Sequence, residues 1–161
     1  MRLTAYTDYA LRTLMYLAIH RDRLATVQEI ADEHGIARNH LTKIVHHLGM
    51  LGYVETVRGR HGGLRLGRDA ASITIGEVVR HTETDFHMAA CFDQASSGCS
   101  LVSACGLKGT LARATQAFLA ELDGATLESM AVREERKKRG APGTPRVIEL
   151  HMGRGAGGKR S

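Results

Sequence analysis

The stretch TVQEIADEHGIARNHLTKIVHHLGMLGYVETVRGRHGGLRL, beginning at Thr26, constrains the fold more than any other. Thr26 followed by Glu29 is a capping box, in which each side chain satisfies the other residue's free backbone amide. Ile30 and Ala31 supply the inner face of a short helix. Gly35 sits where that helix must stop, because glycine enters the left-handed region without a Cβ clash. After Ile36 and Ala37, the spacing of Leu41, Ile44, Val45 and Leu48 predicts a second helix. Two short helices joined by a glycine turn make a helix-turn-helix. Tyr53 to Val57 then alternates as a strand, Arg58-Gly59-Arg60-His61-Gly62-Gly63 is a flexible basic tip, and Leu64 to Leu66 returns. A hairpin in that position is the wing of a winged helix.

The flanking segments extend this unit. Residues 5–20 read as a helix with Leu11, Leu14, Met15 and Ala18 on its apolar face and Thr4 as N-cap. Asp22 to Ala25 reads as a loop. Thr74 and Glu77 form a second capping box, opening a helix through Ile75, Val78 and Val79. Residues 84–106 lack periodicity and hold all three cysteines. From Leu107, the series Leu111, Ala114, Phe118 and Leu122 drifts close to a heptad repeat, which suits a helix that packs on another helix and so dimerises. Trp is absent and aromatics are only 4%, so aliphatic side chains must fill the interior, which favours helices. The expected architecture is mainly α: a winged helix-turn-helix over 1–83 with a two-stranded wing, a cysteine loop over 84–106, and a long dimerisation helix with a following turn over 107–132. The tail over 133–161, with a charge run from Arg133 to Arg139 and then prolines and glycines, reads as disordered.

The formal net charge of +5 favours a polyanionic partner. A membrane is the competing partner, but no stretch approaches the ~20 apolar residues needed to span one. The N-terminus, MRLTAYTDYALR, does not read as a signal peptide, so the expected location is the cytoplasm, where cysteines are thiols or metal ligands rather than disulfides. The outer face of the second helix carries Arg38, Asn39, His40, Thr42, Lys43, His46 and His47. Arginine suits guanine and asparagine adenine, while Thr and Lys suit backbone oxygens, so this face suits double-stranded operator DNA. Thr26 at the start of the first helix, and Arg58, Arg60 and His61 on the wing, complete the candidate set. Against it stands the simpler reading of polar residues solvating an outward face. No Ser/His/Asp order, phosphate-cradling loop or paired-carboxylate motif supports an enzyme. His20, His34, His81, His87 and His151 are scattered.

Cys91, Cys99 and Cys105 occur as CFDQASSGCSLVSAC. Neither gap is the tight CxxC of a zinc knuckle or redox dithiol. Thiolates are soft ligands and suit an iron–sulfur cluster, zinc or copper(I). Three buried but unrelated cysteines remain the plain alternative. A cubane cluster wants four ligands, so three cysteines leave one position for another donor.

The segments RLTAYTDYALR and RNHLTKIVHHLGMLGYVETVRGRHGGLRLG, followed by three cysteines before GLKGTLARA, resemble the IscR/NsrR family of winged-helix iron–sulfur regulators over roughly residues 1–130. Within it the chain looks closest to the nitric-oxide-sensing NsrR type. The resemblance implies a homodimer with crossing C-terminal helices and a cluster on Cys91, Cys99 and Cys105, with [4Fe–4S] favoured over [2Fe–2S]. It also implies that Asp8, donated by the other subunit, completes the ligand set. From the residues alone, Asp8 is an ordinary first-turn acid. IscR-like proteins place a histidine three residues after the last cysteine, where this chain has Lys108, and the first cysteine gap here is wider. The implied function is a repressor that releases DNA when nitric oxide attacks its cluster, controlling genes of nitrosative stress. Two alternatives stay open: a family member answering to redox state or iron supply, and a zinc-stabilised DNA-binding module without a sensor.

Overall fold

The computed structural model describes residues 2–92 and 105–131. The element order is α1 (Ala5–Ile19), α2 (Val27–His34), α3 (Arg38–Met50), β1 (Val54–Val57), β2 (Gly63–Leu66), α4 (Ile75–Thr82) and α5 (Gly106–Asp123), with 3₁₀ turns at Ala70–Ser72 and Ala90–Phe92. Residues 127–131 begin a further helical turn. The tail over 133–161 and Cys99 lie outside the described residues. Among those residues no helix is long and apolar enough to cross a membrane.

Local signals set the ends of the helices. Thr4 caps α1 by accepting from the Thr7 amide. The Thr26–Glu29 capping box opens α2 in both directions, and Gly35 closes it at φ 63°. That turn sends α3 off so that Leu41, Ile44, Val45 and Leu48 face inward. They meet Ala10, Leu14 and Leu17 of α1, Ile30 of α2, Tyr53, and Val78 and Val79 of α4 in one core. Burying a side chain the size of Leu contributes roughly 1.5–3 kcal/mol, so these positions carry much of the stability. Thr7 and Thr13 are also fully buried in α1. The Thr13 hydroxyl satisfies itself by donating to the Tyr9 carbonyl at 2.7 Å.

Strands β1 and β2 pair antiparallel, with Val54 opposite Leu66 and Val57 opposite Gly63. The first strand starts one residue later than its alternation suggests, because Tyr53 turns fully into the core. The loop at Asp22 to Ala25 ends in a bridge to the wing that its sequence does not announce. Ala25 exchanges both backbone hydrogen bonds with Leu64, which anchors the base of the wing to the α1–α2 connection. At the tip, a Cβ on Gly62 would lie 2.2 Å from the Val57 carbonyl oxygen, so only glycine fits this turn.

The second capping box forms only by half. The Thr74 hydroxyl accepts from the Glu77 amide at 3.1 Å, but the Glu77 carboxylate takes Arg68 at 2.9 Å instead of reaching back. Helix α5 runs beside α4 and is pinned there by Arg80 on Asp123, 2.7 Å between Nη2 and Oδ2. The chain then returns to the core through Leu127, whose amide donates to the Ile73 carbonyl.

Candidate nucleic-acid interface and cysteine segment

The first three residues of α3 (Arg38, Asn39 and His40), together with Thr42, Lys43 and His46, are all exposed. The buried stripe of α3 fixes which way they point, since side chains three and four apart share a face. Among the described residues, Arg38, Lys43, Arg58 and Arg60 form no ion pair, whereas Arg12, Arg21, Arg23, Arg65, Arg68 and Arg80 each have an acidic partner. Arg2, Lys108 and Arg113 are likewise without an acidic partner among these residues, so unpaired cations are not confined to α3 and the wing tip. Every Arg and Lys of those two features is among them, however, in the two places that the residue types alone suggest for DNA. His61 is exposed on the same tip. Thr42 also donates its hydroxyl to the Arg38 carbonyl at 2.9 Å. The Thr26 oxygen is engaged in capping α2, which leaves its O–H to donate elsewhere.

The histidines of α3 divide. His46 is exposed, but His47 is half-buried and hydrogen-bonded to Tyr6 of α1, 2.7 Å between Oη and Nδ1. Burial pushes the Tyr6 phenol above its ordinary range, so it stays protonated. The His40 ring meets the edge of Tyr9, with centroids 5.4 Å apart at 78°, and lies 6.5 Å from the Tyr6 ring. Tyr6 and Tyr9 are contacts of α3 that sequence reasoning missed, because nothing in α1 alone says what its tyrosines face.

Tyr16 of the same helix donates to Glu29 at 2.6 Å, and Arg23 closes on that carboxylate as well. The hydrogen bonds from Arg23 and then Tyr16 hold the Glu29 carboxyl down at about 2. This network locks α1 to the first turn of α2.

The cysteine segment begins beyond α4. Glu83, at the C-terminal cap of α4, accepts the Thr4 amide at 2.7 Å and the Thr4 hydroxyl at 3.2 Å. Cys91 lies in the 3₁₀ turn after this point, and Cys105 is the N-cap of α5; both are half-buried. Lys108 sits over the Phe92 ring at 5.9 Å, bringing the neighbour of Cys91 against the first turn of α5. Soft thiols on two adjoining segments, with uncapped α5 amides behind one of them, fit a thiolate-bound group. Among the described residues no three His, Cys, Asp or Glu side chains gather at one point. Asp8 instead pairs with Arg12 at 2.9 Å on the outer side of α1.

Comparison with known proteins agrees with this geometry. The model of the Rrf2 family, described as iron-dependent transcriptional regulators, matches residues 3–133. The HTH-type transcriptional regulator NsrR of Bacillus subtilis strain 168 is 49% identical over 136 residues, 84% of this chain and 93% of that protein. The protein of the same name from Bacillus licheniformis is 47% identical, over 84% and 95%. Among solved structures, T. potens IscR superposes with a TM-score of 0.68 at 21% identity, covering 89% of this chain and 94% of that one. CymR, the global cysteine regulator of B. subtilis, gives 0.66 at 22%, covering 83% and 98%. These two likenesses establish the shared winged-helix fold.

Proposed function

The chain belongs to the Rrf2 family of transcriptional regulators, and from that premise we propose that it is a homodimeric, DNA-binding repressor that holds an iron–sulfur cluster and answers to nitric oxide. It is a regulator and not an enzyme. The observation that carries DNA binding is the set of unpaired cations on α3 and the wing. Arg38, Asn39, His40, Thr42, Lys43 and His46 are assigned to the major groove, with Thr26 beside them. Arg58, Arg60 and His61 are assigned to the flanking backbone and minor groove. The apolar stripe of α5, exposed at Leu107 (63%) and half-buried at Leu111 and Phe118, is assigned to the second copy.

Cys91, Cys99 and Cys105 would hold the cluster, [4Fe–4S] in preference to [2Fe–2S], with Asp8 of the partner as the fourth ligand. When bound, the cluster supplies iron that a diatomic ligand can attack, and a carboxylate is a harder and more easily surrendered ligand than a thiolate. The part played by the chain itself is positional. Asp8 sits on the helix that also touches α3, so holding or freeing that carboxylate changes how two recognition helices are set for two half-sites.

The deciding experiment is anaerobic purification with an absorbance spectrum, iron and sulfide counts, and operator binding before and after nitric oxide, on a duplex selected by the protein from a random pool. Brown protein that releases its operator on nitric oxide is expected. Cys91→Ser, Cys99→Ser and Cys105→Ser should each be colourless. Cluster-free wild-type protein with normal operator binding would overturn the sensor. The family's description as iron-dependent favours iron supply as the second reading. Titration with iron chelator and with reductant separates it from nitric oxide, and zinc in place of iron would mark a purely structural metal.

A further inference from the structure

The first two turns of α1 touch two distant parts of the same chain. At one end, Glu83 accepts both the amide and the hydroxyl of Thr4. Glu83 is where α4 hands over to the segment that reaches Cys91, and a cleft of about 290 Å³ lies along this joint between residues 2–4 and 83–87. At the other end, Tyr6 holds His47 through a hydrogen bond and Tyr9 meets the edge of His40. His40 lies in the first turn of α3, the turn assigned to the major groove, and His47 lies in its last turn.

We propose that the start of α1 is a strut, acting within one chain, that passes the position of the Cys91 segment to the recognition helix, with Glu83 as its latch and Tyr6 and Tyr9 as the residues that position α3. A helix transmits displacement because its backbone hydrogen bonds make it stiff along its axis. The buried Thr7 and the capped N-terminus leave α1 no slack between the two ends. The strut differs from the Asp8 link. It needs no second copy, and its contacts are present in the chain without any bound group. It rests on the proposed function only in taking α3 as the recognition helix and Cys91 as a ligand.

The test uses full-length protein with ¹⁵N-labelled histidine, as isolated anaerobically and after iron removal. Glu83→Ala is expected to move the imidazole signals of His40 and His47, although neither touches Glu83, and Glu83→Gln should restore most of their positions. In a Tyr6→Phe, Tyr9→Leu background the same Glu83 change should leave both signals still. Tyr6→Phe removes one hydroxyl and keeps the ring, so folding persists. It should weaken binding to the selected operator about fivefold, the worth of one hydrogen bond, with the absorbance spectrum unchanged. Unmoved His40 and His47 signals in Glu83→Ala, or equal transmission with and without the tyrosines, would overturn the strut. The histidine measurement needs neither cluster nor DNA. A wild-type protein deaf to nitric oxide would sink the sensor while leaving this readout to decide the strut.

Discussion

The arginines of the scaffold and those of α3 and the wing are the same residue put to different uses. Arg65 lies across the sheet from Glu55, Arg68 reaches Glu77, and Arg80 grips Asp123, so each scaffold charge is locally cancelled. Arg38, Arg58 and Arg60, with Lys43, have no acid within reach among the described residues. Arg2, Lys108 and Arg113 are unpaired there as well, but α3 and the wing combine free cations with residue types that suit DNA, which leaves their charge for an anion the chain does not itself contain. Exposed ion pairs contribute little to stability, so the pairing elsewhere matters chiefly because it lowers the positive potential that would compete with α3 and the wing for a polyanion.

The largest expected effect breaks this contrast directly. Arg38→Ala should lower operator affinity by about 1–3 kcal/mol if its guanidinium reads a base edge, whereas Arg65→Ala should leave affinity within measurement error. Fluorescence anisotropy on the selected operator compares the two. Equal losses would mean that net charge alone, and not its placement, drives binding. Arg60→Ala, at the wing tip, should fall between them.

Lys43 sharpens the comparison further. A phosphate contact releases a counterion, so Lys43→Ala should weaken binding to all sequences alike and make the slope of log affinity against log salt shallower by about one. Arg80→Ala has the same formal charge change but should leave that slope as it was, because Arg80 is already neutralised by Asp123.

What was legible in the sequence was what neighbouring residues decide among themselves. The Thr26–Glu29 box, the stop at Gly35 and the inward stripe of α3 involve partners a few residues apart, and all three stand in the structure. The second capping box lost its Glu77 half because Arg68 competes for that carboxylate, and spacing alone cannot show a competitor arriving from another element. The Ala25–Leu64 bridge, the Tyr6–His47 bond and the Glu83–Thr4 tie join positions far apart in the chain, so no local pattern announces them. The DNA set was legible as residue types, yet only the fold shows that its cations are among the unpaired ones. The cysteine set was legible mainly through resemblance. The structure adds the apposition of Phe92 and Lys108 beside two of the three thiols.

The smallest expected effect concerns the paired side of the comparison and its pH dependence. Glu29 holds its proton only below about 2 in the folded chain, against an ordinary value of 4.5. A depressed folded value means the carboxylate stabilises the fold above the unfolded value, and that this contribution is lost as pH falls from about 4.5 toward 2. Because Arg23 and Glu29 are both substantially exposed, solvent screens the pair and the change should be modest. Glu29→Gln removes the titrating group, so thermal midpoints measured from pH 6 down to pH 3 should fall less steeply than in the wild type. The operator salt slope should not move, since Glu29 neutralises a scaffold arginine and none of those proposed to face DNA. An acid limb of unchanged steepness would show that the Arg23–Glu29–Tyr16 network holds α1 to α2 by shape rather than by charge.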